Sequence, residues 1–363
     1  MVDPRPELSK LSDYVPGKSI EEIRERFGLA KVVKLASNEN PLGASPKAVE
    51  AFHEIADSLH LYPRGDAPKL IDAIAKKFDV KTSQIIIGNG SDEIIDMVGK
   101  AFIRQGDNCV GITPTFSVYK FTTLSNGAEF VGVGAGDAKT SLDDLASAIN
   151  GKTRVAFVCN PNNPTGLYYS ESEIRAFLKK VPANVLVFLD EAYAEFATAA
   201  DYPCSTKLLA EFPNLFVNRT FSKIYGLAGL RVGYAMANED VVKAMWKIKP
   251  PFDVNQAAQV AAIAALGDVD HVNGTRAMNA AGIETLTKAF EGLGFKVLPT
   301  QGNFICVHIG ERAKEMVAFL EQNGMIIRGL TSFGLPEHVR ITIGKPEENE
   351  LLVELVKKWK ISG

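Results

Sequence analysis

Apolar runs alternate with segments of helical periodicity along the first two thirds of the chain. The runs are apolar at nearly every position, and they lie at 85–87, 109–112, 130–133, 155–159, 185–189 and 215–217. Between them, apolar residues recur at helical spacing at 68–78, 91–103, 141–149 and 170–180. Continuous apolar strands, buried on both faces, are typical of a mostly parallel sheet that helices cover on both sides. The pattern therefore predicts an α/β domain, to which we assign residues 43–255.

The pattern changes in the last third of the chain. Helical segments at 255–266, 273–293, 311–323 and 347–360 accompany short strand-like runs at 304–308, 325–328 and 339–343. Helices mixed with short strands in this way predict a smaller α+β domain. We expect the proline-containing residues 1–42 to join it as an arm, so that the second domain comprises 1–42 together with 256–363.

The composition disfavours several classes of function. Of the 363 residues, 46% are hydrophobic and 23% charged, and the net charge of −3 offers no basic surface for nucleic acid. No stretch of about 18 uncharged apolar residues is present, so we expect no membrane-spanning helix. The five histidines and four cysteines lack the spacing of metal ligands, and we expect no metal site. Because no apolar run follows the first charged residues, we expect a cytoplasmic protein.

The most informative segment is 222–231, with the sequence SKIYGLAGLR. It places Lys223 beside a hydroxyl and close to glycine and alanine residues, with Arg231 eight positions further on. A lysine amine can bind an aldehyde as a Schiff base, and serine, arginine and backbone N–H groups can hold the phosphate of pyridoxal phosphate. An isolated Ser-Lys pair would be more typical of an exposed glycine-rich turn. With its companion residues, however, the segment predicts a pyridoxal phosphate site.

Polar residues follow three of the predicted strands. Asp190 ends one apolar run and would emerge at the carboxyl edge of the sheet, where α/β proteins bind ligands, although it could equally cap the next helix. A carboxylate there would keep the pyridine nitrogen of the cofactor protonated. Asn163, in the NPNNPTG turn, and Tyr193 are candidate donors to the phenolic oxygen O3′. The GNGSD turn at 88–92 opens a helix and suits a phosphate, while Glu93 replaces the third glycine of a dinucleotide motif.

Together, these motifs resemble the fold-type I, class I/II aminotransferases over nearly the whole chain. The resemblance rests on YVPGK at 14–18, KLASNENPLG at 34–43, YP at 62–63, GNGSDE at 88–93, PTF at 114–116, NPNNPTG at 160–166, DEAY at 190–193, SKIYGLAGLR at 222–231 and VRITIG at 339–344. The first two segments are similar to the branch that acts on histidinol phosphate. The resemblance implies an aspartate-aminotransferase-like fold, with a large domain built on a mostly parallel sheet flanked by helices, plus a smaller α+β domain.

The resemblance also implies a role for each site residue. Lys223 would be the Schiff-base lysine and the base that moves the proton, Asp190 the partner of the pyridinium, and Tyr193 and Asn163 the partners of O3′. The cofactor phosphate would be bound by Ser91, Asp92, Ser222, Arg231 and, across a homodimer with shared active sites, Tyr62. Phe116 would stack on the ring, where many relatives carry tyrosine. Substrate anions would be bound by Arg328, Arg340, Tyr14 and Asn38.

The implied reaction is a ping-pong transfer of an amino group. Histidinol phosphate would donate the group and become imidazole-acetol phosphate, and 2-oxoglutarate would accept it and become glutamate. Two alternatives use the same scaffold, namely an aromatic-amino-acid aminotransferase and a threonine-phosphate decarboxylase. A third is a transcription regulator that binds pyridoxal phosphate, but it would need a DNA-binding module for which residues 1–42 are too short.

Overall fold

The computed structural model describes residues 2–11 and 17–361. Within them the chain forms thirteen strands, which are β1 (Val33–Lys34), β2 (Ile85–Gly88), β3 (Asn108–Ile112), β4 (Glu129–Val133), β5 (Thr153–Cys159), β6 (Leu186–Asp190), β7 (Leu215–Thr220), β8 (Gly233–Ala237), β9 (Lys296–Val297), β10 (Phe304–His308), β11 (Met325–Ile326), β12 (Arg328–Gly329) and β13 (His338–Thr342).

The same residues form thirteen α-helices, which are α1 (Ile20–Phe27), α2 (Pro46–Glu54), α3 (Pro68–Phe78), α4 (Ser91–Phe102), α5 (Ser117–Ser125), α6 (Leu142–Ser147), α7 (Glu171–Lys180), α8 (Ser205–Leu209), α9 (Glu239–Trp246), α10 (Gln256–Leu266), α11 (Val269–Gly292), α12 (Ala313–Gln322) and α13 (Pro346–Ile361). Across the described ranges, none of the helices combines the length and the apolar character that a membrane crossing requires.

The large sheet has seven strands in the order β2-β8-β7-β6-β5-β3-β4. In the described part of the chain, only β8 runs antiparallel to its neighbours. Side chains alternate between two apolar cores, with Ile85 and Ile87 on one face and Ile86 on the other, because successive residues of a strand point to opposite sides. The predicted α/β class, with a mostly parallel sheet between helices, is confirmed.

Two strand predictions need correction. The run at 130–133 is predicted to be buried on both faces, but β4 lies at the edge of the sheet with Glu129 and Gly132 exposed. An edge strand lacks a second neighbouring strand, so part of its surface stays open to solvent. The run at 325–328 is predicted as one strand, but it divides between two sheets: β11 pairs with β1, and β12 pairs with β13.

The smaller sheet is antiparallel, in the order β12-β13-β10-β9. Helices α11, α12 and α13 pack on it through buried side chains such as Leu286, Leu320 and Val356. The pairing of β1 with β11 attaches the N-terminal segment to this part of the molecule. The register of β12 and β13 sets Arg328 opposite Arg340, so that two cationic side chains are cross-strand neighbours.

Helix α10 lies on the large domain. The sequence-based division assigns this helix to residues 256–363, yet it packs against α2 and α3. Its alanines 258, 261, 262 and 265 are fully buried in the same apolar core as the large sheet. Small side chains allow helices to approach closely, which explains why an alanine-rich helix fits this position. We therefore propose that the boundary between the two domains lies near Gly267.

Candidate functional site

A cavity of about 380 Å³ lies at the carboxyl ends of the central strands. In the sheet register Cys159 is opposite Asp190, and Asp190 is opposite Asn218, so polar groups from three strands meet there. Residues from both sheets line the cavity. The predicted site residues among them are Asn38, Ser91, Asp92, Phe116, Asn163, Asp190, Tyr193, Ser222, Lys223, Arg231, Arg328 and Arg340.

Among the predicted site residues that the structure describes, Tyr62 does not line the cavity. Tyr62 is 83% exposed, and its ring stacks on Phe252 with 4.8 Å between ring centres. Its predicted role involves the site of a second subunit, so a position outside the cavity of its own chain is compatible with that role. Tyr14 lies outside the described residues. No group of three His, Cys, Asp or Glu side chains in residues 2–11 and 17–361 is arranged to hold a metal ion.

Lys223 lies in the turn region that follows β7. Its Nζ donates to the carbonyl oxygen of Ser37 at 3.1 Å and lies 5.7 Å from the centre of the Tyr193 ring. Burial lowers the pKa of Lys223 to about 8, and the neighbouring Arg340 cation acts in the same direction. The amine therefore loses its proton much more readily near neutral pH than an ordinary lysine does, as a nucleophile or a base requires.

Asp190 ends β6 and accepts three hydrogen bonds. Its Oδ2 accepts from the Tyr119 hydroxyl at 2.6 Å, and its Oδ1 accepts from Asn218 Nδ2 at 3.2 Å and from the Ala192 backbone N–H at 3.1 Å. Burial raises the pKa of Asp190 to about 6, although the hydrogen bonds act against this rise. A cation placed beside this buried carboxyl would favour the ionised form of the carboxyl.

Asp190→Asn is expected to stabilise the cofactor-free protein at neutral and higher pH. The carboxyl of the unfolded chain ionises near the ordinary aspartate pKa of 3.8, whereas the pKa in the folded protein is about 6, so ionisation costs folding free energy as the pH rises through that window. The gain in unfolding free energy should be on the order of 2 kcal/mol larger at about pH 8 than at about pH 4.5. Urea unfolding of both proteins measures it. The same difference at both pH values would contradict the burial argument.

Tyr193 and Asn163 each keep a donor available toward the cavity. The Tyr193 hydroxyl accepts from Asn38 Nδ2 at 2.9 Å, which leaves its own O–H to donate. Asn163 Oδ1 accepts from Arg340 Nη1 at 2.5 Å, which directs the amide nitrogen away from that contact. Asn38 is held in turn by Thr342, whose hydroxyl donates to Asn38 Oδ1 at 3.1 Å. Asn38 thus orients Tyr193 through its amide nitrogen, in addition to lining the cavity.

One end of the cavity is suited to a phosphate. Ser91 begins α4, whose first backbone N–H groups have no partner within the helix. The Arg231 side chain lies beside this helix start. Its Nη1 donates to the Ala228 carbonyl oxygen at 3.1 Å, and its Nη2 donates to Asp92 at 3.3 Å. A Cβ on Gly90 would lie 2.4 Å from Arg231 Nη2, so this glycine gives the guanidinium its space.

The other end of the cavity carries Arg328 and Arg340. Arg340 is buried, its Nη2 donates to the Ala36 carbonyl oxygen at 2.6 Å, and its Nε has no partner among the described residues. Burial lowers the pKa of Arg340, and the Arg328 cation acts in the same direction. Two neighbouring guanidinium groups, one with a free buried donor, suit a phosphate or carboxylate ligand.

The sequence analysis missed two residues that hold Asp190. Tyr119 is fully buried, stacks on Phe157 at 4.8 Å and meets Phe116 edge to face at 5.6 Å. Its position in the first turn of α5, three residues after Phe116, was the available signal. Asn218 occupies the position on β7 that pairs with Asp190, and a comparison of the two strand ends would have revealed it.

The fold with a buried lysine and a carboxylate at the strand ends is aspartate-aminotransferase-like. The model of the family "Aminotransferase class I and II" matches residues 30–356, and the chain belongs to this family. The resemblance that the motifs indicate is thereby confirmed.

Individual relatives are similar over almost their whole length. The chain is 44% identical over 355 residues to the histidinol-phosphate aminotransferase of Moorella thermoacetica, which covers 98% of this chain and 92% of the relative. It is 43% identical to that of Brevibacillus brevis, over 98% of each protein. Among solved structures, the histidinol-phosphate aminotransferase of Sinorhizobium meliloti in complex with pyridoxal-5′-phosphate superposes with a TM-score of 0.90 at 26% identity, covering 99% of both chains.

Proposed function

We propose that the chain is a pyridoxal-phosphate-dependent aminotransferase of histidine biosynthesis, acting in the cytoplasm. It transfers the amino group of histidinol phosphate to 2-oxoglutarate. The observation that carries the proposal is one cavity that combines a half-buried lysine of lowered pKa with arginines that suit two anions. Family membership and the names of the relatives at 44% and 43% identity support it.

The donors and acceptors of the cavity fit pyridoxal phosphate. Ser91, Ser222 and Arg231 suit its phosphate, because the start of α4 and a guanidinium both favour an anion, and Asp92 lies at the same turn. Asp190 suits the pyridine nitrogen, since a buried carboxylate stabilises a cation. When bound, the cofactor supplies a ring that withdraws electrons from the substrate carbon. Phe116, half-buried in the lining, is the side chain placed to pack on that ring.

Lys223 performs the covalent attachment and the proton transfer in this proposal. Its pKa of about 8 lets the amine lose and regain a proton near neutral pH, which is the requirement for a general base. Tyr193 and Asn163 donate to the phenolic oxygen, because each has its acceptor oxygen occupied by Asn38 or Arg340. The reacting groups are thus held by side chains that are themselves hydrogen-bonded, which limits their motion.

Arg328 and Arg340 bind the substrate anions. The same pair meets a phosphate in one half-reaction and the carboxylates of 2-oxoglutarate in the other, and guanidinium groups bind both kinds of anion with two parallel hydrogen bonds. Asn38 contributes through Tyr193, and the role of Tyr14 stays a prediction.

We also propose a homodimer in which Tyr62 reaches the cofactor phosphate of the second subunit. Two loops carry exposed apolar side chains, which are Leu59, Leu61, Tyr62 and Phe252. The loops meet where Tyr62 stacks on Phe252. Exposed apolar side chains grouped in this way favour burial against the apolar surface of a second subunit.

A panel of amino donors tests the proposed function. With 2-oxoglutarate as acceptor, we expect kcat/KM for histidinol phosphate to exceed that for phenylalanine and for histidinol by at least about 10²-fold, because histidinol offers the arginines no anion and phenylalanine offers a carboxylate in place of the more highly charged phosphate. A preference for phenylalanine would favour an aromatic-amino-acid aminotransferase instead. Release of carbon dioxide from threonine phosphate would favour the decarboxylase.

Tyr119→Phe is expected to weaken pyridoxal phosphate binding by about 10- to 100-fold, because a hydrogen bond to a charged group contributes about 1.5–3 kcal/mol. The hydroxyl that donates to Asp190 at 2.6 Å is lost, while the ring that stacks on Phe157 is kept. Titration of the cofactor-free protein, followed by absorbance, measures the effect. Tyr234→Phe is the matched control, because Tyr234 is equally buried and its hydroxyl has no partner in the described residues. Equal losses in both variants would refute the role of Tyr119.

A further inference from the structure

We propose that Glu93 is a positioning residue that acts as a neutral acid and connects the phosphate-binding turn to Asp253. The inference rests on the proposed function, because the turn opens α4 at the place assigned to the cofactor phosphate. In the sequence, Glu93 stands where a dinucleotide motif has its third glycine, and that position is occupied here by a side chain that folds back on the turn.

Glu93 holds the backbone of the turn directly. Its Oε2 accepts from the backbone N–H of Asn89 at 2.6 Å. Gly88 lies against the same carboxyl: a Cβ there would be 3.3 Å from Glu93 Oε2 and 2.8 Å from the Ile94 side chain. The glycine thus leaves the space that Glu93 uses, and the conformation of the turn depends on this contact.

On its other side, Glu93 meets the buried Asp253, one of whose carboxylate oxygens lacks a donor. Asp253 Oδ1 accepts from Lys249 Nζ and from the Val254 backbone N–H, but Asp253 Oδ2 is buried without a hydrogen-bond donor in the described part of the chain. The side chains of Lys249 and Asp253 are only 2% and 3% exposed. The Glu93 carboxyl is within hydrogen-bonding range of Asp253.

A proton on Glu93 satisfies this oxygen. A buried carboxylate oxygen without a donor costs about 1–3 kcal/mol, and two ionised carboxylates in contact repel each other as well. With one oxygen protonated, Glu93 donates to Asp253 Oδ2 and still accepts from Asn89 through its other oxygen. The neutral form also places no further negative charge beside a bound phosphate.

The charged groups around Glu93 are compatible with the neutral form. Burial raises the pKa of Glu93 and Asp253 raises it further, while Lys249 acts in the opposite direction. Lys249 is already paired with Asp253. Arg231, at the same turn, pairs with Asp92 at 3.3 Å. As the pH rises through the pKa of Glu93, the carboxyl loses its proton and the hydrogen bond to Asp253 breaks. Of its two contacts, Glu93 then keeps only the one with the backbone N–H of Asn89.

Two substitutions that replace a carboxyl group by an amide of the same shape test whether Glu93 acts as a neutral acid or as an anion. In Glu93→Gln, the amide nitrogen can donate to Asp253 Oδ2 at every pH and the amide oxygen can accept from Asn89. In Asp253→Asn, the new amide can donate to an ionised Glu93, so the proton is no longer needed. Glu93→Ala removes both contacts and leaves Asp253 Oδ2 without a donor.

The test is the dissociation constant of pyridoxal phosphate, and of pyridoxal without the phosphate, for the cofactor-free full chain from about pH 5, close to the ordinary pKa of a glutamate, to about pH 9. At the low end we expect Glu93→Gln to bind pyridoxal phosphate within about 3-fold of the wild type and Glu93→Ala to bind it at least about 10-fold more weakly, as a lost hydrogen bond implies. At the high end, Glu93→Gln and Asp253→Asn should bind it more tightly than the wild type. Pyridoxal affinity should change little in all variants.

Each contrary result overturns a specific part of the inference. If Glu93→Gln binds as weakly as Glu93→Ala at every pH, Glu93 acts as an anion and the neutral acid is refuted. If Glu93→Ala loses pyridoxal and pyridoxal phosphate equally, the contact does not position the phosphate turn. A wild-type protein that binds neither compound would refute the proposed function and this inference with it. Binding of pyridoxal phosphate with identical pH dependence in the wild type and Glu93→Gln would refute the shared proton alone.

Discussion

Lys223→Ala is expected to lower kcat for amino transfer by at least about 10⁴-fold, because general acid–base catalysis alone contributes about 10²–10⁴-fold and the covalent attachment is lost as well. The substitution removes the half-buried lysine that lines the cavity next to Tyr193 and Arg340. Steady-state rates with histidinol phosphate and 2-oxoglutarate measure the loss. Absorbance spectra of the protein with pyridoxal phosphate show at the same time whether the covalent attachment is gone.

The variant should stay folded for a physical reason. The Lys223 amine makes a single hydrogen bond, to the Ser37 carbonyl oxygen, and its lowered pKa shows that burying its charge is unfavourable. Alanine therefore relieves a cost of folding instead of leaving an unpaired charge. Lys81→Ala is a surface control, since Lys81 pairs with Glu239 far from any of the lining residues. Near-normal multiple turnover by Lys223→Ala would show that another group performs the chemistry.

The parts of the site that lie in short motifs were predictable from the sequence. Asp190 follows a continuous apolar run, so its place at the carboxyl edge of the sheet follows from the strand itself. Gly226 is needed because its φ is +70° and a Cβ would lie 2.0 Å from the carbonyl oxygen of Gly43. Such local requirements leave a signature in neighbouring residues, and the family motifs record them.

The contacts that support these residues could not be predicted in the same way. The bond from Tyr119 to Asp190 spans 71 positions, and that from Thr342 to Asn38 spans 304. Each depends on the direction of side chains from separate elements, which hydrophobic periodicity does not specify. The packing of α10 was not specified by the sequence for a related reason, because an apolar, alanine-rich helix fits either domain equally well. Only the packed structure shows which surface it covers.

The difference between short motifs and long-range contacts also applies to substrate specificity. The lysine segment indicates the kind of cofactor, whereas in the proposed function the choice of substrate depends on Arg328 and Arg340, which come together through the pairing of β12 with β13. Their position opposite the α4 end of the cavity gives the site one anion-binding end for a cofactor and another for a substrate. An amino donor without an anion would leave the guanidinium groups of Arg328 and Arg340 unsatisfied in a partly dry site, which disfavours that donor.

Arg340→Ala is therefore expected to reduce both half-reactions by about 10²- to 10⁴-fold, because two hydrogen bonds to a charged group contribute about 3–6 kcal/mol together. Its guanidinium is buried, donates to Asn163 and Ala36, and keeps Nε without a partner in the described residues. Loss of the bond to Asn163 also frees the amide that we propose as a donor to the phenolic oxygen of the cofactor.

Single-turnover rates separate the two half-reactions, with histidinol phosphate as the donor in one and 2-oxoglutarate as the acceptor in the other. Arg340→Lys is the informative companion, because it keeps the charge and loses the planar pair of donors. We expect it to recover only a small part of either rate. A loss confined to the donor half-reaction would mean that 2-oxoglutarate is bound elsewhere, and the idea of one pair of arginines that serves both substrates would be wrong.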